Sequence, residues 1–288
     1  MATTAQSAEK FLDLIVGRTR YLEAGAGEPL ILLHGMGQAN SANSFDTVIP
    51  GLAQQFHVYA LDQLGFGKGT REVAEGPTFE LIMEQIREFM DRLGIPQACV
   101  AGHSMGGWMA AHLAYQSPNR VKKLAMLNAA GLNVGASAGV KPMDAVPSVE
   151  QLAGLIREGM VNKGKEMDPV VAHYAQVQHD MLSQPNAAHS LDPLLHLMLT
   201  PDLRTRYMLQ QRLSHIAMPT LVLWGTGDVM DPYPTWSKEY DKLKGDMSKS
   251  SKPWVIPGAR YVLVDTGHYT QWEMPEYTVN LLTEFFKG

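Results

Sequence analysis

The stretch that most constrains this chain is Ala98-Cys99-Val100-Ala101-Gly102-His103-Ser104-Met105-Gly106-Gly107. Four apolar residues run into a Gly-x-Ser-x-Gly turn, and residues 108–115 then read as an alanine-rich helix. A strand that turns this sharply into a helix strains the backbone of its central residue. Where the helix packs back on the strand, the positions two before and two after leave no room for a side chain. Gly102 and Gly106 meet that demand. The turn pushes the Ser104 hydroxyl out of the sheet and sets the first helical amide, Met105 N–H, where an oxyanion would form. Ser104 is therefore the candidate nucleophile, with Met105 as an oxyanion donor. Three fixed residues also recur by accident, so the motif needs an acid and a histidine at later strand ends to mean anything.

At 288 residues the chain is long enough for one α/β domain, or one with an inserted cap, and its 45% hydrophobic and 18% charged content argues against extensive disorder. A net charge of −5 without a lysine and arginine stripe points away from nucleic acid. Cys99 is the only cysteine, which excludes an intrachain disulfide and a cysteine-based zinc site, and it reads as a small buried hydrophobe. The first ten residues lack the basic start and apolar core of a secretion signal, and no apolar run is long enough to span a bilayer. The expected location is the cytoplasm, with no membrane partner and the oligomeric state open.

Short apolar runs at 30–33, 57–61, 98–101, 121–127, 219–224 and 260–265 predict strands of a mostly parallel sheet, with a further strand at 16–23. Helices are expected at 48–55, 78–93, 108–115 and 276–286, the second of them capped by Thr78. The glycine-dense 62–69 loop lacks a serine or threonine after Lys68, so it is not a phosphate loop, and Asp62 reads as a cap for backbone amides. Between 132 and 215 the alternation stops, and helical segments at 149–163, 169–182 and 203–213 follow one another. The simplest organisation is a core domain of residues 1–131 and 216–288 with a helical cap, 132–215, inserted between two strands. His173, His179, His189 and His196 in that block form no metal-binding pair with an acidic partner, so no metal is expected. Its apolar residues Leu194, Leu197, Met198 and Leu199 suit either a hydrophobic pocket or plain packing.

Open α/β sheets keep their sites at the carboxyl ends of the strands. Those ends carry His34-Gly35-Met36-Gly37, Asp62, Ser104, Asn128, Asp228 and His268. Serine needs an imidazole to take its proton and a carboxylate to orient that imidazole. His268 is the base and Asp228 the acid, with Asp231 as competitor; Asn128 cannot carry the charge. The two glycines beside Met36 free the chain to aim a second oxyanion donor, Met36 N–H first and Gly37 N–H second. His34 is expected to make a structural hydrogen bond below the site.

These residues resemble the α/β-hydrolase superfamily over almost the whole chain, through His34-Gly35-Met36-Gly37, Asp62 to Gly67, Gly102 to Gly107, Gly225-Thr226-Gly227-Asp228 and Gly267-His268. Within it, Asp62-Gln63-Leu64-Gly65-Phe66-Gly67 and Gly267-His268-Tyr269-Thr270-Gln271-Trp272-Glu273 look most like the meta-cleavage product hydrolases. That resemblance implies a Ser-His-Asp enzyme that adds water across a C–C bond of a ring-opened aromatic compound, with no cofactor. The family usually has asparagine where this chain has His103, and a cap arginine for the substrate carboxylate where His173 aligns. A neutral histidine holds a carboxylate less firmly than a guanidinium. The expected substrate is therefore a carboxylic ester or lactone of a small, largely apolar molecule, with C–C hydrolysis as the alternative. A non-hydrolytic ligand sensor or a cofactor-free oxygenase on the same fold is the third reading. Gly35, Gly37, His103, His173, Leu197, Met198 and Tyr269 are the candidate substrate-binding residues.

Overall fold

A computed structural model describes residues 6–37, 39–71, 77–132, 145–187, 189–200, 205–210, 212–230, 237–250, 252 and 255–288, with backbone alone for Met198, Ser237 and Ser248. The described strands are β1 (Ala8–Leu14), β2 (Gly17–Gly25), β3 (Glu28–Leu33), β4 (Phe56–Leu61), β5 (Ala98–His103), β6 (Val121–Leu127), β7 (Thr220–Gly225) and β8 (Arg260–Val264). They form one sheet in the order β1-β2-β4-β3-β5-β6-β7-β8. From β4 to β8 every neighbour is parallel, while β1 and β2 close one edge antiparallel. The described helices are α1 (Ile49–Leu52), α2 (Phe79–Arg92), α3 (Met105–Gln116), α4 (Val149–Glu158), α5 (Asp168–Leu182), α6 (Asp192–Leu199), α7 (Ser237–Lys242), α8 (Thr270–Glu273) and α9 (Pro275–Lys287). Among the described residues no helix is long and apolar enough to cross a membrane.

Alternation along the strands divides the core between the two faces of the sheet. Ile31 and Leu33 of β3 join α2 and α3 in one cluster, whereas Leu30 and Leu32 join α1 and α9 in the other. A third cluster lies between α4 and α5, where Leu152, Ile156, Val171 and Tyr174 enclose Trp272 of α8. Within the block between β6 and β7, α4 and α5 thus share a core of their own, which Trp272 and Tyr269 join from the loop that carries His268.

Three sequence expectations change. β1 was not anticipated, because this edge strand pairs on one side only and leaves all but Leu14 at least partly exposed, so no hydrophobic alternation marks it. α6 was expected to supply apolar residues but not to be a helix; it buries Leu194 and Leu195 on the main core. A helix over 203–213 is not found at residues 206–210, while 203, 204 and 211 lie outside the described residues. There the backbone is tied to the core instead. Tyr207 O accepts from both Trp108 Nε1 and His112 Nε2 at 2.6 Å, and Leu209 N donates to Gly131 O at 3.1 Å.

Candidate active site

Ser104 sits between β5 and α3 with φ 54° and ψ −121°, a left-handed conformation that costs about 1–3 kcal/mol. Three backbone hydrogen bonds hold it there. Ser104 N donates to Leu127 O at 2.9 Å, and Ser104 O accepts from Trp108 N at 3.2 Å and Ala130 N at 3.0 Å. The tightness around it explains the flanking glycines: a Cβ on Gly102 would come within 2.1 Å of Gly106 O, and one on Gly106 within 2.0 Å of Leu33 O. From residue 98 to 114 every residue is buried except Ser104. The turn therefore delivers one partly exposed hydroxyl from a closed core. Met105 opens α3, so its N–H is one of the helix's unpaired first-turn donors.

The exit of β3 runs alongside this turn. A Cβ placed on Gly35 would lie 3.0 Å from Ser104 Cβ, so the residue directly before Met36 is up against the serine. Gly37 has φ 128°, and Asn40 fastens the segment by donating from its backbone N to Gly37 O and from Nδ2 to Met36 O. His34 lies beneath as a neutral ring. Its pKa is pushed down from 6.5 to about 4 by burial, Nδ1–H donates to Gly35 O at 2.8 Å, and Nε2 accepts from Gln63 N at 3.1 Å. Asp62 caps amides as its loop composition implied, accepting from Ala42 N and Lys68 N, and pairs with buried Arg20.

His268 follows β8 and Asp228 follows β7. Their Nδ1···Oδ2 distance is 2.7 Å, with the imidazole 6% and the carboxylate 0% exposed. Because Nδ1–H donates to the carboxylate, Nε2 keeps its lone pair. Asp228 is further held by Asn128 Nδ2 at 2.8 Å on Oδ2 and by Met230 N at 2.9 Å on Oδ1. Asn128, in the left-handed region at φ 44°, itself accepts from Thr270 Oγ1 at 2.9 Å. Its lack of charge removed it as the acid; its position at the end of β6 was the signal that it would meet one. The competing Asp231 lies outside the described residues.

His103 has a different job from the one expected. Its Nε2–H donates to His268 O at 2.8 Å, and burial, aided by the neighbouring His268, pushes its pKa down to about 3. The neutral ring is committed to the backbone of His268, 4.7 Å away between ring centroids. His173 is not brought to the site at all. It is exposed on α5 and pairs with Asp46 at 3.0 Å, because the buried face of that helix is taken by Val171, Tyr174 and Ala175. Tyr269 packs edge-on to His268, with ring centroids 5.4 Å apart, and stacks on Trp272 at 4.1 Å. Leu197 packs against the main core, and Met198 lies in α6 with its side chain outside the described residues. Glu273 was quoted only as part of a motif, yet its carboxylate accepts from Gly267 N, Val161 N and Asn162 N.

A profile of the alpha/beta hydrolase fold matches residues 28–169. The 2-hydroxy-6-oxononadienedioate/2-hydroxy-6-oxononatrienedioate hydrolase of Paraburkholderia xenovorans is 29% identical over 296 aligned positions, covering 99% of this chain and 97% of the relative. Among solved structures, a meta-cleavage product hydrolase from Pseudomonas fluorescens superimposes with a TM-score of 0.77 at 24% identity, covering 96% of this chain and 97% of that one. The 2-hydroxy-6-oxo-6-phenylhexa-2,4-dienoate hydrolase of a Rhodococcus species gives 0.77 at 23% identity, covering 99% and 100%. With this sheet order, these flanking helices and these relatives, the chain has the α/β-hydrolase fold and is an α/β-fold serine hydrolase, similar along nearly its whole length to meta-cleavage product hydrolases.

Proposed function

We propose that this hydrolase cleaves a C–C bond in a ring-opened aromatic compound, a dienol carboxylate conjugated to a ketone, with Ser104, His268 and Asp228 as its catalytic residues. The observation that carries the chemistry is the 2.7 Å bond from His268 Nδ1 to Asp228, which leaves Nε2 as a base on the same edge of the sheet as the serine turn. The substrate class rests on the end-to-end similarity to hydrolases named for such dienoates. Preference for an ester or lactone rested on His173 as a weak carboxylate holder, and that residue faces solvent beside Asp46.

In this reading Nε2 takes the Ser104 proton as Oγ adds to the ketone carbon. Met105 N–H and Met36 N–H hold the oxyanion. Collapse breaks the C–C bond, and the departing carbon takes the proton from the imidazolium; the keto form of the dienol supplies the electron sink that this carbon needs. Water, activated by the same base, then frees the acid from the serine ester. No cofactor enters this scheme. Residues 132–215 form the cap over the site and residues 1–131 with 216–288 the core, and the enzyme works in the cytoplasm on a small molecule. Gly35, Gly37 and Tyr269 line the substrate, with Leu197 on the cap side.

The test is a comparison of substrates on the wild-type enzyme. Turnover of a 2-hydroxy-6-oxo-dienoate, followed by loss of its visible absorbance, is expected to exceed that of p-nitrophenyl esters by about a hundredfold or more in kcat/KM, a gap of roughly 3 kcal/mol in transition-state binding. Fast ester cleavage beside an inert dienoate would return the assignment to an esterase.

A further inference from the structure

The loop that carries His268 is joined to the segment after α4 by a backbone hydrogen bond and by close packing. His268 N donates to Gly159 O at 2.8 Å. Gly267 lies so near that a Cβ on it would stand 2.1 Å from Gly159 O and 2.8 Å from Met160 Cα, and a Cβ on Gly159 would meet Tyr269 Cε2 at 2.7 Å. One carboxylate fastens this crossing. Glu273 Oε1 accepts from Gly267 N at 2.7 Å, while Oε2 accepts from Val161 N at 2.9 Å and Asn162 N at 2.8 Å.

The chemistry of that clamp is one-sided. All three donors are backbone amides, and each gains strength from the full negative charge of the acceptor. Among the described residues no side chain competes for either oxygen, and burial, with a smaller push from the nearby Asp265 carboxylate, raises the Glu273 pKa against the three amides, which lower it. Glu273 therefore spans two pieces of chain that are more than a hundred positions apart, and one of its partners is the residue directly before His268. If the 159–162 segment leaves its seat, the His268 amide loses its acceptor and Gly267 loses the packing that fixes it.

We propose that Glu273 is a positioning residue that makes the placement of His268 depend on the seating of the 159–162 segment. The inference rests on the reading of His268 as the base, and it adds that the base is assembled only when this part of the helical block is docked.

Amide hydrogen exchange of the wild-type protein tests the coupling without using the reaction. The amides of Val161, Asn162, Gly267 and His268 are expected to exchange through one common opening across a denaturant series, distinct from Ser104 N, which is held by β6. Separate openings for 161–162 and 267–268 would overturn the proposal. Glu273→Gln supplies the kinetic readout: kcat per folded molecule is expected to fall about tenfold with KM within about twofold, and the four amides to exchange faster together. An unchanged kcat in folded Glu273→Gln, with only a lower melting temperature, would make the residue merely structural and overturn the proposal. If Glu273→Gln does not fold, Glu273→Asp, which keeps the charge but is one methylene short, is measured with the same expectations. Full activity in Ser104→Ala would defeat the mechanism while leaving the exchange result standing, so the two failures are distinct.

Discussion

Asn128 Nδ2 donates to Asp228 Oδ2 at 2.8 Å, the same oxygen that receives His268 Nδ1–H at 2.7 Å. One carboxylate oxygen is thus held from two strand ends, which fixes the plane of the acid and, through it, the imidazole. Asn128→Asp keeps the shape and tolerates the positive φ but replaces an N–H donor with a second carboxylate. The two acids will share a proton, so the variant should be less stable than wild type at pH 8 by roughly 1–3 kcal/mol and recover part of that loss toward pH 5. Urea denaturation at both values measures it; equal losses at the two pH values would show that the contact carries no charge coupling.

The serine turn makes a steric prediction. Gly106→Ala would drive a methyl to 2.0 Å from Leu33 O and 2.5 Å from His34 O, both backbone atoms that cannot swing away. A loss of about 3 kcal/mol or more is expected, read as a fall in melting temperature or in soluble yield. A variant within about 0.5 kcal/mol of wild type would mean that the strand and helix are not packed this closely.

Two buried histidines give the stability a sign with pH. His34 and His103 titrate near 6.5 when unfolded but at about 4 and about 3 when folded, chiefly through burial. Below pH 6.5 the unfolded chain binds protons that the folded chain refuses, so their contribution is fully present above 6.5 and is lost as the pH falls. At pH 5 each ring removes roughly 2 kcal/mol relative to pH 7. His103→Asn should flatten the dependence of the urea-derived stability between pH 5 and 7 by about 0.7 proton on average. An unchanged slope would show that His103 charges freely in the folded protein.

His173 separates the structure from the expectation drawn from sequence. Since its ring is exposed and its partner is the half-buried Asp46, His173→Ala should leave kcat and KM within about twofold and stability within about 0.5 kcal/mol. A large rise in KM for a carboxylate-bearing substrate would restore it as a binding residue.

What the sequence made legible follows from burial. β3 through β7 are short runs closed on both faces, and their ends could be read as the edge where Ser104, Asp228 and His268 gather. β1 gave no such signal because only β2 pairs with it. Positions within the helical block were hard to read for another reason: α5 has weakly patterned faces, and which of them is buried is decided by Trp272, a residue about a hundred positions later. The same holds for the braces. His103 and Glu273 each act through a partner between 111 and 165 positions away, a pairing created by chain crossings that leave no local trace.

The most direct measurement is turnover of a 2-hydroxy-6-oxo-dienoate by wild type and Ser104→Ala, each shown to be folded by circular dichroism. The account predicts steady multiple turnover by the wild type and a fall of about a thousandfold or more in kcat for the variant. Multiple turnovers at an undiminished rate in Ser104→Ala would contradict it.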